Sequence, residues 1–257
     1  MLGSVSVSSW PLRLSATGGG QPGQIAGAGE LLVLLHNFMV SSQIWTSRAA
    51  VLAERYRLIA IDLPGHGNSS RRDGRWTHRD AATDVLGALD QLGVHRFAAI
   101  GPSSGGMTLL HIASAAPERV RAVVLVGATT HFGRPAKKFM TAMTPGNPNW
   151  APFREYHRSD ERFIELQQHF HSFKDDEDDM VFTRETLGTM TAETLVVHGD
   201  RDQLFPVDIA MDLYQGIPRS YLWIIPNGTH NPYFDGHTDA INAAALAFLA
   251  GAWTPAG

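Results

Sequence analysis

The sequence predicts an α/β fold, a mostly parallel sheet with helices on both faces. Three observations carry that prediction. Short, continuous apolar runs recur along the chain, as in strands buried on both faces. Segments with helical spacing lie between them. The composition, 44% hydrophobic and 18% charged over 257 residues, suits one large domain, or one with a modest insertion. A formal net charge of −4 goes against both a disordered tail and a basic nucleic-acid surface.

The elements follow in order. Residues 4–8 alternate Ser and Val, the pattern of a strand with one buried face. Residues 10–16 read as its hairpin partner, with Pro11 implying an edge. Residues 17–29 hold six glycines and one proline and read as a loop. That loop lacks the Lys-Ser/Thr ending of a phosphate-binding loop. Buried strands are expected at 31–35, 58–61, 97–100, 122–126, 195–197 and 221–225. Helices are expected at 47–55, 81–92, 106–116, 207–214 and 239–249.

One stretch breaks the alternation. Between Val126 and Leu195 no strand is read over about 65 residues. This stretch is rich in Phe and Met, including Phe139 and Met143, and reads as a mainly helical insertion with an apolar inner face. Its acidic run, 175–179, reads as a solvated loop, because nothing there resembles an Asp-x-Asp-x-Asp-Gly calcium loop. His169 and His171 lie two apart, so a helix would point them to different faces, and no metal pair is read.

Other classes drop out. The chain has no cysteine, so disulfide scaffolds, thiolate metal sites and a cysteine nucleophile are excluded. No basic-then-apolar leader opens the chain, and no run approaches the roughly 20 apolar residues of a membrane span. The default expectation is a cytoplasmic protein without a membrane or nucleic-acid partner. Its oligomeric state is left open.

In parallel sheets, ligands bind beyond the carboxyl ends of the strands. At one such end stands Gly101-Pro102-Ser103-Ser104-Gly105-Gly106, between a strand and a helix. This is the Gly-x-Ser-x-Gly nucleophile elbow in strand–turn–helix context. Ser103 sits at its centre, and Ser104 is the weaker candidate. A serine needs a base, and the base needs an orienting acid. Two later strand ends supply candidates in that order, Asp200 and Asp202 after 195–197, and His230 after 221–225.

From about Leu31 to Leu249 the sequence resembles the α/β-hydrolase fold superfamily. His36-Asn37-Phe38 is similar to its His-Gly-aromatic segment, and Asp62-Leu63-Pro64-Gly65-His66-Gly67-Asn68-Ser69 to its Asp-x-Pro-Gly-His-Gly-x-Ser loop. Gly199-x-x-Asp202-x-x-x-Pro206 looks like its acid loop, and Gly-x-His230 like its histidine loop. The resemblance implies a mostly parallel, eight-stranded-type sheet with a helical lid inserted after the sixth strand. The core would be 1–130 and 191–257, and the lid 131–190. It implies Ser103 as nucleophile, His230 as base, Asp202 rather than Asp200 as acid, and the N–H groups of Phe38 and Ser104 as the oxyanion hole. Asp62 and His66 would be structural, and His36 would support the oxyanion loop. Asn37 departs from the usual Gly; Asn tolerates left-handed backbone, so the loop is expected to survive.

The expectation is therefore hydrolysis of an ester or lactone without cofactor or metal. Substrate contacts are expected from Asn37, Met39, His131, Phe139, Met143 and Phe205, with Trp45 nearby. Only three or four aromatic or Met side chains of the insertion are expected to touch substrate. An apolar or aromatic substrate of small to medium size fits that set. Perhydrolysis, carbon–carbon bond hydrolysis, acyl transfer and a ligand-binding receptor remain as alternatives. Serine rather than aspartate at the elbow goes against epoxide hydrolases and haloalkane dehalogenases.

Overall fold

The computed structural model describes residues 6–10, 29–72 and 74–253. Among them, seven strands form one sheet: β1 (Ser6–Trp10), β2 (Glu30–Leu35), β3 (Tyr56–Asp62), β4 (Phe97–Pro102), β5 (Val120–Val126), β6 (Glu193–Gly199) and β7 (Ser220–Ile225). Their order across the sheet is β1-β3-β2-β4-β5-β6-β7. Only β1 runs antiparallel, with Ser6 opposite Asp62 and Trp10 opposite Leu58. The other pairs are parallel.

The apolar runs are explained by two-sided burial. In β2, Val33 and Leu35 enter one core, and Leu32 and Leu34 the other. β5 repeats this with Val123 and Leu125 against Ala122 and Val124. Helices α2 (His78–Gln91), α3 (Ser104–Ala115) and α7 (Val207–Gly216) cover the first face. Helices α1 (Thr46–Ala53) and α8 (Thr238–Leu249) cover the second.

Between β5 and β6 lies the insertion. It holds α4 (Arg134–Ala142), α5 (Asp160–Ser172), α6 (Arg184–Gly188) and two 3-10 segments, Pro148–Tyr156 and Phe173–Asp175. Its buried side chains, among them Met140, Trp150, Phe163 and Phe173, join the core on the α2–α3 face.

One expectation changes. The first strand ends at Trp10 rather than Ser8, so Trp10 belongs to β1, and the rest of the expected hairpin partner lies outside the described residues. The insertion follows the fifth of the described strands.

Candidate active site

The chemistry-bearing loops all emerge at the carboxyl ends of β2, β3, β4, β6 and β7. At the end of β4, Ser103 adopts φ 48 and ψ −118, a conformation side chains rarely take. The Ser103 N–H donates to Val126 O at 2.8 Å and pins the turn to β5. The flanking glycines are steric requirements. A Cβ on Gly101 would strike the Gly105 backbone, and one on Gly105 would come within 2.9 Å of His36 O.

His230 arrives on the loop after β7. That loop nests against two glycines, for a Cβ on Gly127 would collide with His230 O, and one on Gly199 with Gly228 O and Thr229 O. His230 Nε2 lies 2.9 Å from Ser103 Oγ, and His230 Nδ1 lies 2.9 Å from Asp202 Oδ2. The other Asp202 oxygen accepts the N–H groups of Leu204 at 2.8 Å and Phe205 at 2.9 Å. Burial pushes the Asp202 pKa up, but the His230 contact and these two N–H bonds outweigh it and hold the carboxyl below its ordinary value. Asp202 is thus an ionised acceptor, and His230 Nδ1 must carry the proton between them. Phe205 packs edge-on to His230, with ring centroids 5.0 Å apart. Asp200 is not part of this relay; its nearest ion partner is Arg201 at 3.8 Å.

The loops after β2 and β3 are locked together by two buried imidazoles. His36 Nδ1 donates to Asn37 O at 2.8 Å, and His36 Nε2 accepts Leu63 N–H at 2.9 Å. His66 Nδ1 donates to Pro64 O at 3.0 Å, and His66 Nε2 accepts Met39 N–H at 3.2 Å. Burial lowers both pKa values, so both rings are neutral and can each donate once and accept once. Asp62 takes Ser42 N–H at 2.7 Å and Asn68 N–H at 2.8 Å, and Gly67 leaves the space its carboxylate fills. The positive φ of the first loop falls on Met39 (65°), not on Asn37. Asn37 instead donates its Nδ2 to Phe38 O at 3.3 Å.

Phe38 and Ser104, the expected oxyanion donors, both flank Ser103 in one cavity of ≈ 230 Å³. Ser104 opens α3, where a backbone N–H has no intrahelical acceptor. Asn37, Met39, Phe139, Met143 and Phe205 line the same cavity. Two expected neighbours do not. His131 is exposed and its Nδ1 meets Thr130 Oγ1 at 3.1 Å. Trp45 packs in the opposite core, edge-on to Tyr233 at 5.7 Å. The insertion contributes eight lining side chains: Phe132, Phe139, Met140, Met143, Trp150, Phe153, Phe170 and Phe173.

One polar lining residue is not announced by the sequence, His78. The signal that places it is the capping box Thr77–Asp80, which starts α2 three residues before the apolar spacing does. His78 Nδ1 lies 2.6 Å from Asp179 Oδ2, and Nε2 lies 3.1 Å from Ser104 Oγ. Asp179 is therefore a correction. Asp175, Glu177 and Asp178 are exposed as expected of a solvated run, but Asp179 is buried. It is the docking residue of the run, accepting the His78 and Arg79 N–H groups at the start of α2.

The comparisons with known proteins agree with this architecture. The family described as alpha/beta hydrolase fold matches residues 30–181. A pimeloyl-(acyl-carrier protein) methyl ester esterase of Nitrosomonas europaea is 29% identical, across 82% of this chain and 92% of its own length. A 2-hydroxymuconate semialdehyde hydrolase of Pseudomonas sp. is 28% identical, across 88% of this chain and 87% of its own. Among solved structures, an alpha/beta hydrolase enzyme from a Medee basin deep-sea metagenome library superposes with a TM-score of 0.77 at 15% identity, covering 96% of this chain and 94% of that one. A thermophilic esterase from Thermogutta terrifontis gives 0.74 at 18% identity, covering 96% and 93%. Elbow, strand order and family match converge: the chain belongs to the alpha/beta hydrolase fold family.

Proposed function

We propose that the protein is a serine hydrolase that cleaves a carboxylic ester or lactone through an acyl-enzyme. The observation that carries this reading is the Asp202–His230–Ser103 relay, with both links at 2.9 Å, opening into an apolar cavity. Ser103 Oγ attacks the acyl carbonyl while His230 Nε2 takes its proton. The oxyanion is held by the N–H groups of Phe38 and Ser104, and the partial positive charge of the α3 N-terminus adds to them. His230 then protonates the leaving alcohol. Water, activated by the same ring, releases the acid and restores Ser103. These steps need neither cofactor nor metal.

Residues 131–190 act as a lid over Ser103, on a core of 1–130 and 191–257. The aromatic and Met side chains that the lid lays on the cavity favour an apolar or aromatic acyl or alcohol group. The esterase relative supports the ester reading, and the semialdehyde hydrolase relative makes a non-ester acyl substrate the second one. A panel of p-nitrophenyl esters from short to long acyl chains, with lactones and 2-hydroxymuconate semialdehyde added, ranks them. Ser103→Ala is expected to abolish turnover of the best substrate with an unchanged thermal midpoint. Turnover retained by that variant sinks the assignment.

A further inference from the structure

A second buried chain of the same three residue types ends beside the first. Asp179 Oδ2 lies 2.6 Å from His78 Nδ1, and His78 Nε2 lies 3.1 Å from Ser104 Oγ. A carboxylate only accepts, so His78 Nδ1 carries a proton toward Asp179. Helix capping accounts for part of this arrangement. Asp179 satisfies the N–H groups of His78 at 2.8 Å and Arg79 at 3.2 Å, two of the free donors that open α2. Capping does not require the imidazole to continue to Ser104. Nor does stability, since a buried ionic group is often no better than apolar packing.

The position of the last link is what distinguishes it. Ser104 directly follows the strained Ser103, and in the proposed reading its N–H is an oxyanion donor. Its hydroxyl faces His78, its carbonyl accepts from Thr108 Oγ1 at 2.8 Å, and it is itself buried. The ring of His78 is held on its faces too, stacked on Phe173 at 5.1 Å and tilted against Phe132 at 6.1 Å. The other donor is braced from the same segment. His157 Nε2 donates to Met39 O at 3.0 Å, one residue beyond Phe38. Asp179 and His157 both belong to the insertion, so each side of the hole is tied to it.

We propose that Asp179 and His78 are positioning residues of the oxyanion hole, acting through the hydroxyl of Ser104 to hold its N–H on the reacting carbonyl. This rests on the serine hydrolase reading. Loosening such a donor without deleting it costs less than the ~100–1000-fold of its removal, so a loss of about tenfold is expected.

The test is a double-mutant cycle on the best p-nitrophenyl ester, with kcat and KM measured separately. Ser104→Ala removes the hydroxyl and leaves the backbone. His78→Phe keeps the ring packing against Phe173 and Phe132 and removes both nitrogens. Each single variant should lower kcat about tenfold with KM within about twofold, and the double variant should be no slower than the slower single. A merely structural role of His78 predicts multiplied losses. Multiplied losses, a wild-type kcat for Ser104→Ala, or a change in KM alone overturns the proposal. Should His78→Phe not fold, Ser104→Ala decides the matter, with His78→Gln in its place in the cycle. Ser103→Ala runs beside them. If it is dead while Ser104→Ala is wild type, the positioning role falls and the hydrolase reading stands; if Ser103→Ala turns over, the hydrolase reading itself falls.

Discussion

Two chains of Ser, His and Asp meet at adjacent residues of this protein, and their hydrogen bonds are almost alike. One runs Asp202–His230–Ser103 with both links at 2.9 Å. The other runs Asp179–His78–Ser104 with links of 2.6 and 3.1 Å. What separates them is backbone strain and access. Ser103 is held at φ 48, whereas Ser104 lies in the ordinary first turn of α3. The His230 side chain is 22% exposed, and that of His78 is 1% exposed. A base must collect a proton and hand it to a leaving group, and in the proposed reading the more exposed His230 is the ring with room to do so. A row of hydrogen-bonded Asp, His and Ser is therefore not by itself the signature of a nucleophile.

Breaking the first chain should have the largest effect. Ser103→Gly is expected to lower kcat by on the order of 10⁴–10⁶-fold. It should also raise stability by about 1 kcal/mol in urea unfolding, because glycine relaxes the positive φ. Ser104→Gly, at an unstrained position, should gain nothing. Asp202→Asn comes next, with a loss of about 10⁴-fold in kcat, since the wrong His230 tautomer is then favoured.

The second chain should answer in stability first. Asp179→Ala leaves His78, the nearby His111 and two helix N–H groups without their carboxylate. The expected cost is about 3–5 kcal/mol, read as a drop in thermal midpoint, because a buried pair is broken rather than replaced. A midpoint within experimental scatter of wild type would show that Asp179 is not a docking residue.

The smallest effect concerns pH. His169 stacks on Trp76 at 4.6 Å and on Phe38 at 5.9 Å. Burial, and then the neighbouring His78 and Arg75, push its pKa down to about 3. The unfolded chain therefore takes up this proton first, near pH 6.5, and the folded chain only near pH 3. Stability from this group is full above about pH 6.5 and declines as pH falls toward 3. His169→Phe should flatten that part of the curve, measured as thermal midpoint against pH. An unchanged slope would remove His169 from the account.

The first chain was largely readable in the sequence, and the second was not. The elbow is local: Gly101, Ser103 and Gly105 stand together, because their backbones touch. Asp202 and His230 follow strand ends, and strands buried on both faces leave continuous apolar runs. His78 and Asp179 meet across 101 residues, and neither stands in a repeating pattern. An acidic run looks solvated unless a partner is known, and the partner here is the open end of a helix. The left-handed residue of the loop after β2 was equally hidden. Asn37 is the residue type suited to it, but the positive φ falls on Met39, whose N–H is held by His66.

The long separations within the two chains also have a temporal meaning. Ribosomes add roughly 5–20 residues per second. His78 then waits about 5–20 s for Asp179 across their 101 residues, and Ser103 waits somewhat longer for His230 across 127. In the proposed reading the nucleophile is thus synthesised long before its base, and the acidic residue that docks the insertion emerges between the two. A nascent chain would then carry its serine unarmed until all seven described strands have been made.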